Sequence, residues 1–254
     1  MTYFGFLLIF LVIPIFALLA AALRNQPSRL FWWSIVAQMA LALLYTTPWD
    51  NYLVATGVWS YSQKQVTGIV LGYVPLEEYA FFVLETLLVG LWWHCCSARW
   101  RPSEDIRSAT KVRRWAAGSV AILWAVLAVV LRNSWKPGTY LLITLVWALP
   151  PVVLQLAYGA DILWRERRLV VSAIVPLGLY LSAADALAIR AGIWAIDPAQ
   201  STGFFIGGLP IEEAAFFFIT VLLITFGLTL TLSDEGRKRL PILSRNDRPA
   251  RTSQ

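Results

Sequence analysis

Long apolar stretches, separated by short clusters of basic and polar residues, dominate this chain. Seven of them, near residues 3 to 23, 30 to 47, 75 to 96, 115 to 131, 139 to 159, 169 to 189 and 208 to 232, approach the ~20 residues a helix needs to cross the hydrocarbon of a bilayer. The pattern predicts an all-α polytopic membrane bundle of about seven transmembrane helices. Composition agrees, since 58% of the 254 residues are hydrophobic and 14% charged, too apolar for an ordinary soluble domain. The first stretch carries Ala20-Ala21-Ala22, which resembles a signal-peptide cleavage region. No Lys or Arg precedes it and its apolar run is long, so it is expected to stay as a mature helix.

Basic residues orient the bundle, because Lys and Arg are retained in short cytoplasmic loops. One side holds Arg24, Arg29, Arg99, Arg101, Arg107, Lys111, Arg113, Arg114, Arg165, Arg167, Arg168, Arg237, Lys238, Arg239, Arg245, Arg248 and Arg251; the other holds Lys64, Arg132, Lys136 and Arg190. That split, 17 against 4, predicts a multi-pass protein of the cell membrane with its N-terminus outside and its C-terminus cytoplasmic. The net charge of +6 is then a topology signal with some attraction to anionic lipid, and nucleic-acid binding is not expected.

Within this frame one signature occurs twice. Pro75-Leu76-Glu77-Glu78-Tyr79-Ala80-Phe81-Phe82 is followed 135 residues later by Pro210-Ile211-Glu212-Glu213-Ala214-Ala215-Phe216-Phe217. The same offset matches Tyr45 with Tyr180, Asp50 with Asp185, Gly57 with Gly192, Trp59 with Trp194, Gln65 with Gln200, Thr67-Gly68 with Thr202-Gly203 and Gly72 with Gly207. The expected organisation is a first repeat over 1–96, a basic loop and unpaired linker helix over 97–137, a second repeat over 138–232 and a basic cytoplasmic tail over 233–254. This is a three, one, three arrangement with a pseudo-two-fold axis along the membrane normal. Both acid motifs then lie in the outer half of the membrane, where they can face one shared cavity.

Pro and Glu suit the first turn of a helix for structural reasons alone: Pro lacks an N–H that would be unpaired there, and Glu interacts with the helix dipole. Duplication, each time before Ala-Phe-Phe and a wholly apolar helix, favours function, because acids inside a membrane are costly to keep. Adjacent residues lie ~100° apart around a helix, so one Glu of each pair can face the interior while its neighbour meets the terminus. An apolar setting and a second carboxylate both disfavour ionisation, which suits a general acid. Glu85 extends the acidic face in the first copy only, where the second has Thr220. Asp50 and Asp185 stand at the outer ends of the second and sixth spans and either join the acid cluster or cap there. Phe81, Phe82, Phe216 and Phe217 either pack the core or offer ring faces to a carbocation.

Other chemistries have little support. His94 is the single histidine, which leaves no multi-histidine metal site and no histidine-based triad. Cys95 and Cys96 are adjacent rather than spaced as a redox pair. No glycine-rich dinucleotide fingerprint occurs. The expected reaction moves protons and uses no cofactor and no metal.

At Pro75-Leu76-Glu77-Glu78 and Pro210-Ile211-Glu212-Glu213 the chain resembles the flavin-independent carotenoid cyclases, found as two-subunit lycopene cyclases or as fused tandem forms. Both copies, nearly the whole chain, carry the likeness, without the prenyl-condensing domain of the fungal fusions. The resemblance implies cyclisation of the ψ ends of lycopene to β-ionone rings, giving β-carotene, with Glu77, Glu78, Glu212 and Glu213 as the acid and base set. Asp50, Asp185, Glu85 and the four phenylalanines would be supporting residues. It also implies a membrane-dissolved carotenoid substrate about 30 Å long, comparable with the hydrocarbon thickness, and association with other carotenoid-pathway enzymes. Relatives that make ε rings or act on fifty-carbon carotenoids leave ring type and chain length open. A small proton-coupled transporter is the alternative from another class, since its acids and parallel repeats would look similar. A carotenoid-binding subunit with inert acids is another. A retinal protein is not, because residues 208 to 232 contain no Lys for a Schiff base.

Overall fold

The computed structural model describes residues 1–100, 109–133 and 136–239. Seven helices are long and apolar enough to cross a membrane: α1 (Tyr3–Arg24), α2 (Arg29–Ala55), α3 (Leu76–Ser97), α4 (Thr110–Arg132), α5 (Lys136–Arg165), α6 (Arg167–Arg190) and α7 (Ile211–Leu232). A short helix, α8 (Asp234–Arg239), follows. Of the basic residues used above to orient the chain, Arg101, Arg107, Arg245, Arg248 and Arg251 lie outside the described residues, as do 101–108 and 134–135 of the linker region and 240–254 of the tail.

Local chemistry sets several helix starts. Thr2 caps α1 by accepting from the Gly5 amide at 3.1 Å, and Ser28 caps α2 by accepting from Phe31 at 3.1 Å. α1 begins α-helical, passes through a π-helical turn at Leu8–Val12 and resumes at Ile13, next to Pro14, which has no N–H for the ladder. Two expected ends need correction. The second span does not stop at residue 47: the helix continues through Pro48 to Ala55, with Trp49, Asp50 and Leu53 buried on one face. A proline in a membrane helix is tolerated where tertiary packing holds the next turn. Asp50 therefore sits inside a helix. The fifth span likewise passes its expected end and bends at Gly159, where an added Cβ would stand 2.3 Å from Leu230 Cδ2. Glycine there lets α5 and α7 approach closely.

Strands too short to be seen in the hydropathy lie between the helices. A hairpin of β2 (Val70–Leu71) and β3 (Val74–Pro75) leads into α3, and a hairpin of β5 (Phe205–Ile206) and β6 (Leu209–Pro210) leads into α7. Gly72 turns the first hairpin at φ 69°, and any Cβ there would collide with Asn51 Oδ1. Each proline closes a strand and stands just before its helix rather than within the first turn.

Between the halves, β1 (Trp59–Tyr61) pairs antiparallel with β4 (Trp194–Ile196), with Ser60 opposite Ala195, the residue 135 further on. The flanking contacts exchange halves. Ser62 N donates to Ile193 O and Asp197 N to Val58 O, both at 3.0 Å. Gln65 Nε2 reaches Ala191 O at 2.9 Å, and Gln200 Nε2 reaches the corresponding Thr56 O at 3.5 Å. Tyr45 donates to Trp147 O and Tyr180 to Phe10 O, so the matched tyrosines tie α2 to α5 and α6 to α1.

The core is continuous from α1 to α7, with α3 at its centre. α4 packs chiefly on α5 and exposes Ile122, Val126 and Val129, as a helix facing lipid would. At the end opposite the hairpins, Arg239 of α8 binds the Asp161 carboxylate through two nitrogens at 3.0 and 2.7 Å, which fastens α8 to α5.

Candidate active site

Each Pro-x-Glu-Glu pair is divided by the helix rotation. Glu77 is wholly buried and its Oε1 accepts from the Thr67 amide at 2.6 Å. Glu212, at the matched position, accepts from the Thr202 amide at 2.6 Å, the Thr202 hydroxyl at 2.7 Å and the Ser201 hydroxyl at 3.2 Å. These first glutamates fasten the loop ahead of each hairpin. The second glutamates point the other way, into a cavity between the halves lined by Tyr3, Trp59, Tyr61, Glu78, Phe81, Asp185, Glu213, Phe216 and Phe217, with Trp194.

Glu78 Oε2 accepts from the Tyr3 hydroxyl at 2.5 Å and the Tyr61 hydroxyl at 3.0 Å. Glu213 Oε1 accepts from Trp59 Nε1 at 3.1 Å and the Tyr140 hydroxyl at 3.0 Å. Trp59 belongs to the first half, so the β1–β4 pairing carries a donor across to the second. The Asp185 carboxyl accepts from Trp194 Nε1 at 2.9 Å and lines the same cavity as Glu213; its other oxygen has no hydrogen-bond partner among the described residues. Two carboxylates cannot bond each other; with one proton between them they can. Asp50 is fully buried, with neither oxygen hydrogen-bonded among the described residues.

Glu85 does not reach this cavity. Its Oε1 accepts from Thr220, its own counterpart, at 2.7 Å, and with Phe82 it lines a second space between α2, α5 and α7. Phe81, Phe216 and Phe217 border the acids as expected, and Phe82 does not. Phe216 stacks with Trp49 at 5.5 Å, and Trp49 with Trp147 at 4.5 Å, a row of ring faces beside Glu213. The free volume of the acid cavity is about 20 Å³, enough for one water. A terpenoid end group is several times larger and enters only if these rings turn aside.

Tyr3, Tyr61 and Tyr140 were missed by the sequence reading as carboxyl partners, and Trp59 was matched without a role. Tyr3 and Tyr140 are 137 residues apart, not 135, so at the motif's offset Tyr140 falls opposite Gly5. Pro14 and Pro151 share the longer offset, and giving each helix its own register would have found the pair.

The model of the family described as lycopene cyclase matches residues 1–96 and 114–231, both motif-bearing parts of the chain. The chain belongs to the lycopene cyclase family. Lycopene beta-cyclase of Halobacterium salinarum is 42% identical over 193 residues, covering 76% of this chain and 79% of that protein. Bifunctional lycopene cyclase/phytoene synthase of Phaeosphaeria nodorum is 35% identical over 228 residues, and that of Gibberella fujikuroi 32% over 224; each match covers 85% of this chain and 38% of the fungal protein. No solved structure matches. Membership of the cyclase family, with seven apolar helices, makes this a membrane protein.

Proposed function

We propose that this chain closes the ψ end groups of lycopene into β-ionone rings by proton-initiated cyclisation, using no cofactor. The observation that carries the reading is the meeting of Glu78 and Glu213, from the two halves, in one aromatic-walled cavity. Glu213, sharing a proton with Asp185, delivers it to the terminal double bond of the polyene. The tertiary cation is attacked by the neighbouring alkene, which forms the ring carbon–carbon bond and moves the cation into the ring. Glu78, held by two phenols, takes the proton lost from the ring as the new double bond forms. One proton enters and one leaves, so oxidation state and composition are unchanged. Phe81, Phe216 and Phe217, which line the cavity, offer ring surface to the cation. Glu77 and Glu212 position the loops. The β ring is supported by the 42% identical relative's name.

Expression in a lycopene-accumulating bacterium tests this directly. β-Carotene is expected without added flavin or nicotinamide, whereas unchanged lycopene beside membrane-inserted protein overturns the reading. The proposed orientation places the acid cavity in the outer half of the membrane, the N-terminus outside and the C-terminus cytoplasmic, with the two repeats parallel. Reporters fused after Gln254 and inserted beside Lys64 should read cytoplasmic and external respectively, and a cytoplasmic signal at Lys64 reverses the orientation. The fungal relatives named for two activities support association with other enzymes of carotenoid synthesis. Co-isolation with a phytoene synthase after crosslinking in a host carrying both checks that, and its absence counts against it.

A further inference from the structure

The second intramembrane space has a volume of about 320 Å³ and a mainly apolar wall, interrupted by Gln38, Glu85 and Gln155. Ala42, Leu154, Phe216 and Leu223 border it, and Gln38 and Gln155 turn their amide nitrogens to the Ile224 and Leu223 carbonyls of α7. Leu154 and Leu41 at its rim are 71% and 61% exposed on the apolar flank of the bundle, so the space opens where lipid chains would stand. Its inner end is Phe216, the same ring that walls the acid cavity.

The matched positions, on α6 and α3, are packed. Where α2 has Ala42, α6 has buried Leu177; where α2 has the half-buried Gln38, α6 has fully buried Ala173; and Leu88 is 1% exposed where Leu223 is only half-buried. Among the described residues the two matched faces thus differ, one open to a lateral approach toward the acids and the other packed.

On the reading of the function above, we infer that the α2–α5–α7 cleft holds the chain of the linear polyene and is its single route from the bilayer to Glu213, with Phe216 as the ring that must turn to admit an end group. A hydrocarbon polyene fits this slot because its wall is mainly apolar and the polyene brings no polar group to satisfy; the amide nitrogens of the two glutamines and Glu85 Oε1 are held by Ile224, Leu223 and Thr220, while Gln155 Oε1 is buried without a partner among the described residues. One approach serves one end at a time. The substrate must leave and re-enter reversed between the two closures, so a one-ring carotenoid is released between them.

The test narrows the cleft with Ala42→Leu, which copies the matched Leu177 of α6, and Ala42→Phe, each assayed for carotenoid products in lycopene-containing membranes with membrane protein quantified. Graded losses are expected, reaching about 10- to 100-fold for Ala42→Phe, with substantial recovery in Ala42→Phe/Leu223→Ala, where the added volume is given back. Ala17→Phe, at the lipid-facing counterpart of Leu154, should cyclise normally. Glu213→Gln serves as the separate check on the function: if it remains active, the catalytic reading itself fails. If Glu213→Gln is inactive while Ala42→Phe cyclises at the wild-type rate, the cleft assignment fails alone. A loss in Ala42→Phe that Leu223→Ala does not relieve also counts against it. In a wild-type time course the one-ring carotenoid should rise before the two-ring product and chase into it when fresh lycopene is added. Two-ring product from the first turnovers, with no free one-ring species, overturns the single approach.

Discussion

The acid centres of the two halves share a backbone and differ in what holds them. Glu78 takes two phenols, from α1 and β1, while Glu213 takes one phenol from α5 and the indole of Trp59 from the opposite half. Asp185 lines the cavity with Glu213 and accepts from Trp194, whereas Asp50, its counterpart, has no hydrogen-bonded oxygen among the described residues. Tyr61 has Ile196 as its match, which cannot donate. Glu85 and Thr220 are each other's counterparts and bond across the junction between halves. In a dimer of identical chains that contact would join two glutamates, which need a shared proton, or two threonines. Duplication within one chain removes the constraint, and a hydroxyl donor meets a carboxyl acceptor instead. The lesson is that the matched positions keep the backbone frame while the side chains around the two acids diverge.

The sharpest way to break this comparison is to neutralise the acids. Glu213→Gln and Glu78→Gln should each lower cyclisation by ~10²- to 10⁴-fold, measured as carotenoid formed per membrane-inserted protein; wild-type rates in both would reduce the acids to structural residues. The division of roles is tested next by the aspartates. Asp185→Asn removes the carboxyl that shares the cavity with Glu213 and, on the proposed proton sharing, should cost about 10- to 100-fold, the rate equivalent of ~1.5–3 kcal/mol for a charge-assisted hydrogen bond. Asp50→Asn should cost clearly less, and equal losses would show that the halves are functionally alike. A smaller effect is expected from the phenols. Tyr61→Phe leaves Glu78 with one donor and should slow turnover by about 2- to 10-fold, from ~0.5–1.5 kcal/mol, without changing the β-ring product on chromatography.

The smallest effect on chemistry belongs to the first glutamates. Glu212→Gln and Glu77→Gln should leave cyclisation within a few-fold of wild type but lower the thermal midpoint of purified protein. Glu212→Gln should do so more, because Glu212 receives three donors and Glu77 one. A reversal of that order would mean that the loop before α3, not the one before α7, is the more firmly held.

Much of this was legible before any fold was known. Apolar runs of spanning length require helices, because a bilayer leaves backbone groups no partner but one another, and so the chain alone determined seven spans and an all-α membrane class. The repeated Pro-x-Glu-Glu, with Asp50 and Asp185 in register, was likewise readable in the string, and the structure brings Glu78, Asp185 and Glu213 into one cavity. The ends of α2 and α5 were not legible: the apolar runs were expected to end at 47 and 159, and packing on neighbouring helices carries the backbone past both. Nor could the sequence alone choose between Glu77 and Glu78, since adjacent residues differ only by a rotation of ~100° that the whole bundle sets. That rotation sends Glu77 and Glu212 to their loops and Glu78 and Glu213 to the cavity. The donors Tyr3, Tyr61, Tyr140 and Trp59 come from other elements or the other half, at sequence separations of 17 to 154 residues. The lateral cleft depends on a difference of packing between two matched faces, Ala42 against Leu177. Periodicity is a property of one helix and was readable in the string; proximity between helices is a property of how they pack, and only the tertiary structure decided it.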